Sequence, residues 1–343
     1  MRRLLLLIFI GLASCSPDEN SYTDIPLELT RPSNFPDPEY NLSRNMPTQA
    51  GFELGKKLFY DGRLSRDGTI SCGFCHIQQD AFTHHGHSLS HGIDNMVGLR
   101  NTPAIQNMAY QRAFMWDGAA DHLDLQPIIP LTSELEMDGR FPDIVAMLQG
   151  DDDYHSLFAR AFPDQPIDSE HLLKALSQFM VMMESTNSKF DKFRRGESGG
   201  GLSASESAGY QTFLNKCSGC HATDLQSDQS FRNNGLAFNQ VLGDRGRMEV
   251  TGLEQDRQKF RVPSLRNVAK TAPYMHDGRF YSLEAVLNHY ASGVQDSPNL
   301  DSALRTGNTV GISLSQAEKT NIIAFLQTLT DVEFLSDRRF SEY

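Results

Sequence analysis

Cys72 and Cys75 are spaced by two residues and followed at once by His76, and the arrangement returns at Cys217, Cys220 and His221. Two thiols at that spacing beside an imidazole can hold a c-type haem. The sulfurs add across its vinyl groups and the histidine ligates the iron. One copy could equally be a redox dithiol that happens to precede a histidine. Two copies in one chain favour covalent attachment, so the sequence predicts two haem c groups, with His76 on haem iron 1 and His221 on haem iron 2.

Helices must position these motifs. Phe52, Leu54, Leu58 and Phe59 predict a short amphipathic helix before the first motif. Tyr210, Phe213 and Leu214, behind a capping box of Ser203 and Glu206, predict one before the second. Leu172, Leu176, Phe179 and Met183 mark a further helix, and Ile144, Val145 and Leu148 a weaker one. Ser315 and Glu318 cap the last, whose inner face is Ile322, Leu326 and Leu329. No stretch alternates convincingly as strands. The expected class is mainly α: two cytochrome-c-like haem domains with long loops. The glycine-rich run at 196–201 divides them, giving an N-terminal haem domain over 46–195 and a C-terminal one over 202–343.

The chain has 343 residues, enough for two cores, and a net charge of -12. That charge argues against nucleic acid, which requires a basic footprint, and permits attraction to a basic redox partner. Four of the five cysteines belong to the two motifs, and the fifth, Cys15, ends a leader. Arg2 and Arg3 precede an apolar run from Leu4 to Leu12, too short to span a bilayer. Leu12-Ala13-Ser14-Cys15 resembles a bacterial lipobox, so residues 1–15 are expected to be a lipoprotein signal peptide. The protein would then lie in the periplasm, anchored through Cys15. Residues 16–45 are polar, carry five prolines and have no period, so they read as a flexible tether.

The two halves repeat each other beyond the motifs. Pro103, Asn107, Ala109, Met115, Asp117 and Gly118 recur, without a gap, as Pro263, Asn267, Ala269, Met275, Asp277 and Gly278. Duplication of a haem domain is the simplest account. The differences are informative: Trp116 stands opposite His276, and Pro130 opposite Tyr290. Proline offers iron no side-chain donor, whereas tyrosine can ligate through its phenolate. Tyr290 is therefore the expected distal ligand of haem iron 2, with iron 1 open to a small molecule. His84, His85 and His87 form a cluster with metal-ligand character, but no thiol or carboxylate completes a tight set, and a solvated loop is the simpler reading. Met275 is an iron ligand by residue type, though its repeat mate Met115 favours packing.

Both haem motifs, Arg100-Asn101-Thr102-Pro103, the run from Phe114 to Gly118, Glu136-Met137, and the run from Val262 to Asn267 continuing to Ala272-Pro273-Tyr274 together resemble the bacterial di-haem cytochrome c peroxidases, in their MauG-like branch. The resemblance spans Met46 to Leu329. It implies that the N-terminal haem reduces hydrogen peroxide to water and the C-terminal haem relays electrons from a small donor such as cytochrome c. It puts Gln126 and Glu136 in the peroxide pocket and Trp116 between the haems. It also implies a calcium ion on backbone oxygens of Asn101, Thr271 and Pro273, in keeping with that ion's preference for oxygen. A carboxylate such as Glu136 can carry the proton that O–O cleavage moves from the inner to the outer oxygen. Arg266 could bind a haem propionate or make a surface ion pair.

Tyr290 stands where many peroxidases have methionine, and His91 lies near the position of a displaceable ligand to haem iron 1. Three readings follow. The first is a peroxidase, the second a MauG-like oxidase that modifies a partner protein. The third is a di-haem electron carrier, which Glu136 and Pro130 oppose because a carrier would close both irons. A homodimer is among the assemblies the chain permits.

Overall fold

The computed structural model describes residues 24–342. The leader and Cys15 lie outside the described residues. Helices dominate. In order they are α1 (Gln49–Tyr60), α2 (Cys72–Cys75), α3 (Ile128–Thr132), α4 (Phe141–Gln149), α5 (Asp152–Ala161), α6 (Ser169–Val181), α7 (Lys189–Arg195), α8 (Ala204–Lys216), α9 (Met248–Thr251), α10 (Leu283–Asn288), α11 (Gln316–Gln327) and α12 (Val332–Ser336). The strands are two-residue pairs, Phe231–Arg232 against Phe260–Arg261 and Arg305–Thr306 against Thr309–Val310, both antiparallel. Among the described residues no helix is long and apolar enough to cross a membrane.

Each domain is built on one close helix pair. In the first, α1 packs on α6 and buries Leu54, Leu58 and Phe59 against Leu172, Leu176 and Phe179. The axes come this close because Gly55 has no side chain: a Cβ there would overlap the carbonyl of Ala175. In the second, α8 packs on α11, and a Cβ on Gly209 would overlap the carbonyl of Asn321 in the same way. Ile322, Leu326 and Leu329 are buried there as expected, while Leu214 faces solvent instead. Both expected capping boxes form, and Ser188 with Asp191 makes a third.

Three boundaries differ from expectation. Residues 24–45 do not hang free. Phe35 and Tyr40 are buried, and the amides of Glu39 and Tyr40 both donate to Ala109 O at 2.9 Å. A docked extended segment needs only isolated anchors, so it leaves no period to read. The glycine run is a loop inside the second domain's territory, because Phe190 on α7, before it, already belongs to the second core. Finally, the chain end returns to the first domain. Phe334, Leu335 and Phe340 join its core, and Tyr60 Oη donates to Phe340 O at 2.7 Å.

The repeat is visible in the backbone. The equivalent residues Asn107 and Asn267 are both left-handed, at φ 53° and 57°, as is the equivalent pair Met115 and Met275, at 67° and 75°. The domains then meet by reciprocal bonds between equivalent residues. Asn101 N donates to His276 O and Arg261 N to Trp116 O, each at 2.7 Å. The equivalent glycines, Gly118 and Gly278, each press against the other domain, where a Cβ would overlap Phe231 and the carbonyl of Ser88. Arg100 adds a charged clamp across the same contact, reaching Asp244 at 2.7 Å and Asp117 at 2.5 Å.

Candidate functional site

The first motif is a single turn of helix, α2, closed by His76 N donating to Cys72 O at 2.9 Å. The chain then reverses through two left-handed residues, Ala81 and Phe82. This turn aims the Phe82 carbonyl at the His76 ring, where Nδ1 donates to it at 2.6 Å. That bond selects one tautomer and leaves Nε2 as the free lone pair, the arrangement a haem ligand requires. The second motif reproduces it. His221 N donates to Cys217 O at 3.0 Å, and its Nδ1 donates to Gln226 O at 3.2 Å. Burial pushes both imidazoles down, His76 to about 4, so both rings are neutral.

A cavity of about 270 Å³ opens beside the second motif. Cys217, Cys220, His221, Leu265, Ile322 and Leu326 line it, an apolar slot with thiols and imidazole on its wall. The same cavity holds Arg261, a half-buried guanidinium that burial pushes down to about 10, whose Nε donates to Met115 O at 3.4 Å and which no described carboxylate pairs. A cation partly withdrawn from water without a counter-ion is costly, and an acidic group of a bound cofactor would satisfy it. The residues therefore fit a haem, with Arg261 facing a propionate. Nothing in the sequence singles Arg261 out except its place opposite Asn101 in the repeat. Arg266 makes no surface pair: it is buried against both carboxylate oxygens of Asp191 and the carbonyl of Asp224, and its Nε is left unpartnered.

Tyr290 lies in the same cavity as His221, in a wide helical turn over His289–Gly293. Its phenol bonds to the Asn234 side chain, and burial pushes it up to about 12, with the nearby Cys220 and Cys217 adding to the shift. Met275 faces the cavity too, its Sδ 3.5 Å from Asn234 Nδ2. His289 is held elsewhere, Nε2 on Asn234 O at 3.1 Å. Asn234 thus touches Tyr290, Met275 and His289, and sequence reasoning missed it because a lone asparagine carries no spacing signal.

Trp116 stands in the cavity wall that faces the first domain, together with Thr83, Thr102 and Pro103. Its Nε1 donates to Asn101 O at 2.7 Å. Glu136 is half-buried on the Cys75 side of the first motif, where its charge helps push that thiol up. Burial raises the Glu136 pKa, and Ser90 Oγ, 3.4 Å from Oε1, opposes the rise. Gln126 sits earlier in the chain than Glu136, with Nε2 3.5 Å from Met115 Sδ. Pro130, on α3, accepts from Met137 N at 3.3 Å, tying it to the Glu136 turn.

Asn101, Thr271 and Pro273 line one cavity, as the resemblance implies. Asn101 O is already taken by Trp116, while the carbonyls of Thr271 and Pro273 accept from no described residue. Two bare carbonyls fit an oxygen-loving cation. The histidine loop does not match its expectation. His84, His87 and His91 converge, while His85 turns away to Asp80 at 3.0 Å. His91 contacts the first motif through its carbonyl, 3.3 Å from Cys75 Sγ, and its ring packs on His87 and His84.

A family model described as di-haem cytochrome c peroxidase matches residues 49–199, and a cytochrome c model matches 206–330. The methylamine utilization protein MauG of Methylorubrum extorquens is 33% identical over 330 residues, 93% of this chain and 88% of that protein. Cytochrome c551 peroxidase of Pseudomonas aeruginosa is 32% identical over 289 residues, 81% and 78% of the two chains. The solved structure of a MauG-like protein associated with microbial copper homeostasis aligns at TM-score 0.83 and 34% identity, covering 92% of this chain and 99% of that one. Fold and matches define the class, a di-haem c-type oxidoreductase of two cytochrome-c-like domains. Within it, the chain belongs to the di-haem cytochrome c peroxidase family, in which MauG and the peroxidases are both relatives.

Proposed function

We propose that the protein reduces hydrogen peroxide to water at the His76 motif, with electrons entering from a small redox protein through the His221 motif. Bound haem c supplies the iron chemistry at both sites. The chain holds it through the thiols of Cys72, Cys75, Cys217 and Cys220 and the free Nε2 of His76 and His221. The observation that carries the reading is the half-buried Glu136 beside Cys75, with a pKa raised by burial. Peroxide reduction consumes two electrons and two protons and yields two waters. Glu136 accepts the proton of the inner peroxide oxygen and returns it to the outer one, the atom that leaves as water. Gln126 orients the peroxide. Trp116, in the wall between the domains, carries oxidising equivalents from one site to the other.

A second reading, a MauG-like oxidase acting on a partner protein, is favoured by Tyr290. A phenolate oxygen stabilises oxidised iron, whereas methionine raises the potential. Steady-state peroxide turnover with reduced small cytochromes, set beside turnover with a candidate protein substrate, separates the two. Rapid cytochrome oxidation supports the peroxidase; peroxide-dependent modification of the protein without it supports the oxidase. The reading also includes export to the periplasm, a lipid anchor at Cys15, and calcium on the oxygens of Asn101, Thr271 and Pro273.

A further inference from the structure

We propose that His84, His87 and His91 form a transition-metal site, at the edge of the first haem motif and using none of its ligands, that takes one copper or zinc ion through three imidazole nitrogens. One ring nitrogen from each histidine lies within 4.8 Å of the other two. The rings are 4.4 Å apart for His84 and His87, 4.4 Å for His87 and His91, and 5.7 Å for His84 and His91. Imidazoles bound at about 2.0–2.1 Å place their centroids roughly 4.5–5.5 Å apart at bond angles between 90° and 120°. His84 and His87 are stacked at 20°, so turning one of these rings out of the stack, with lesser adjustment of His91, brings the three nitrogens onto one ion.

The second observation is that these rings lack other partners. His84 is only 7% exposed, yet its Nδ1 is buried with no hydrogen bond. No ring nitrogen of the three has a hydrogen-bond partner among the described residues. The neighbouring His85 has one in Asp80, and the motif histidines have theirs in carbonyls. Buried polar atoms are normally satisfied, so an orphan on a ring that converges with two further imidazoles calls for an unseen partner. A proton would be a poor one. Burial and the neighbouring rings push His84 down to about 4, and burial lowers His91 as well, so these two rings favour the neutral form that can donate to a cation.

The scaffold holds the loop still. Bridges pair Ile77 with Thr83 and His91 with Val97 at its two ends. Asn101 Nδ2 donates to the carbonyls of His87 at 3.2 Å and Ser88 at 3.1 Å in the middle. Asn101 also accepts from Trp116, so the site sits one residue from the wall between the domains. Three nitrogens with no thiolate or carboxylate select copper or zinc over calcium or magnesium, and copper(II) binds such a set more tightly than zinc. His87 is exposed and leaves the fourth position open to solvent or a small ligand.

The test uses the purified holoprotein with both haems, stripped with chelator and then titrated with copper(II) or zinc(II). Elemental analysis after desalting should find one copper or zinc per chain beyond the haem iron. Copper(II) electron paramagnetic resonance should carry nitrogen hyperfine structure. His87→Ala and His91→Ala should each weaken binding at least 10-fold, and His85→Ala should leave it unchanged. Haem content by pyridine haemochrome verifies that each variant is folded and loaded. Absence of retained metal overturns the proposal, as does equal binding by all three variants. A His91→Ala variant that changes the haem spin state while binding copper normally also overturns it, making His91 an iron ligand instead.

Discussion

Glu136→Gln isolates the proton chemistry from the packing. The amide fills the same space and keeps an oxygen for Ser90 Oγ, which lies 3.4 Å from Oε1. What is lost is the group that accepts and returns a proton. General acid–base catalysis contributes about 10²–10⁴-fold, so the reaction with peroxide should slow by at least about 100-fold, or ~2.7 kcal/mol of barrier. The assay is stopped-flow absorbance of the haem bands after mixing with peroxide, which reports the cleavage step without an electron donor.

The pH profile sharpens the test. Burial raises the Glu136 pKa above its ordinary 4.5, and the carboxylate must be deprotonated to accept the first proton. The wild-type rate should therefore fall on the acid side through a limb above pH 4.5. Glu136→Gln should lack that limb. Ser90→Ala should move it to higher pH, because that hydroxyl opposes the rise. Stability should run the other way. In the window between 4.5 and the raised value the folded state binds more protons than the unfolded, so stability falls as pH rises. Removing the carboxylate relieves that cost, and Glu136→Gln should melt no lower than wild type at pH 7. A folded, doubly loaded Glu136→Gln that reacts at the wild-type rate would refute the reasoning.

Cys72→Ala or Cys217→Ala should each leave one covalent haem per chain in a haem-stained denaturing gel with haemochrome quantitation; unchanged stoichiometry in either contradicts the two-site reading. Tyr290→Phe should open the His221 site, giving a second high-spin ferric signal in electron paramagnetic resonance, and an unaltered spectrum would remove tyrosine as a ligand. Gly55→Ala forces a Cβ onto the Ala175 carbonyl and should cost about 1–3 kcal/mol in denaturant titration. A loss below about 0.5 kcal/mol would mean that α1 and α6 can separate freely. Phe340→Ala should destabilise the first domain by about 3–5 kcal/mol, because this ring from the chain end is fully buried in that core.

The sequence by itself determined the class of this protein. Local spacing suffices for a haem motif, since both thiols and the imidazole come from one turn of chain, and each site's tautomer-setting carbonyl lies five or six residues on. The helices were legible for the same reason: a buried face repeats every three or four residues, as at Leu172, Leu176 and Phe179. The duplication was legible because its copies keep register. Only the tertiary structure decided what long-range packing controls. Phe35 and Phe340 reach the first core from opposite ends of the chain, without a period to announce either. Arg261 becomes a cation without a carboxylate partner at the domain contact, its amide on Trp116 O and its Nε 3.4 Å from Met115 O, only once the first domain meets the second. His84, His87 and His91 converge, and His85 does not, because the loop is bent between two bridges and pinned by Asn101. Side-chain direction in a loop depends on such tertiary restraints, and spacing along the chain does not encode them.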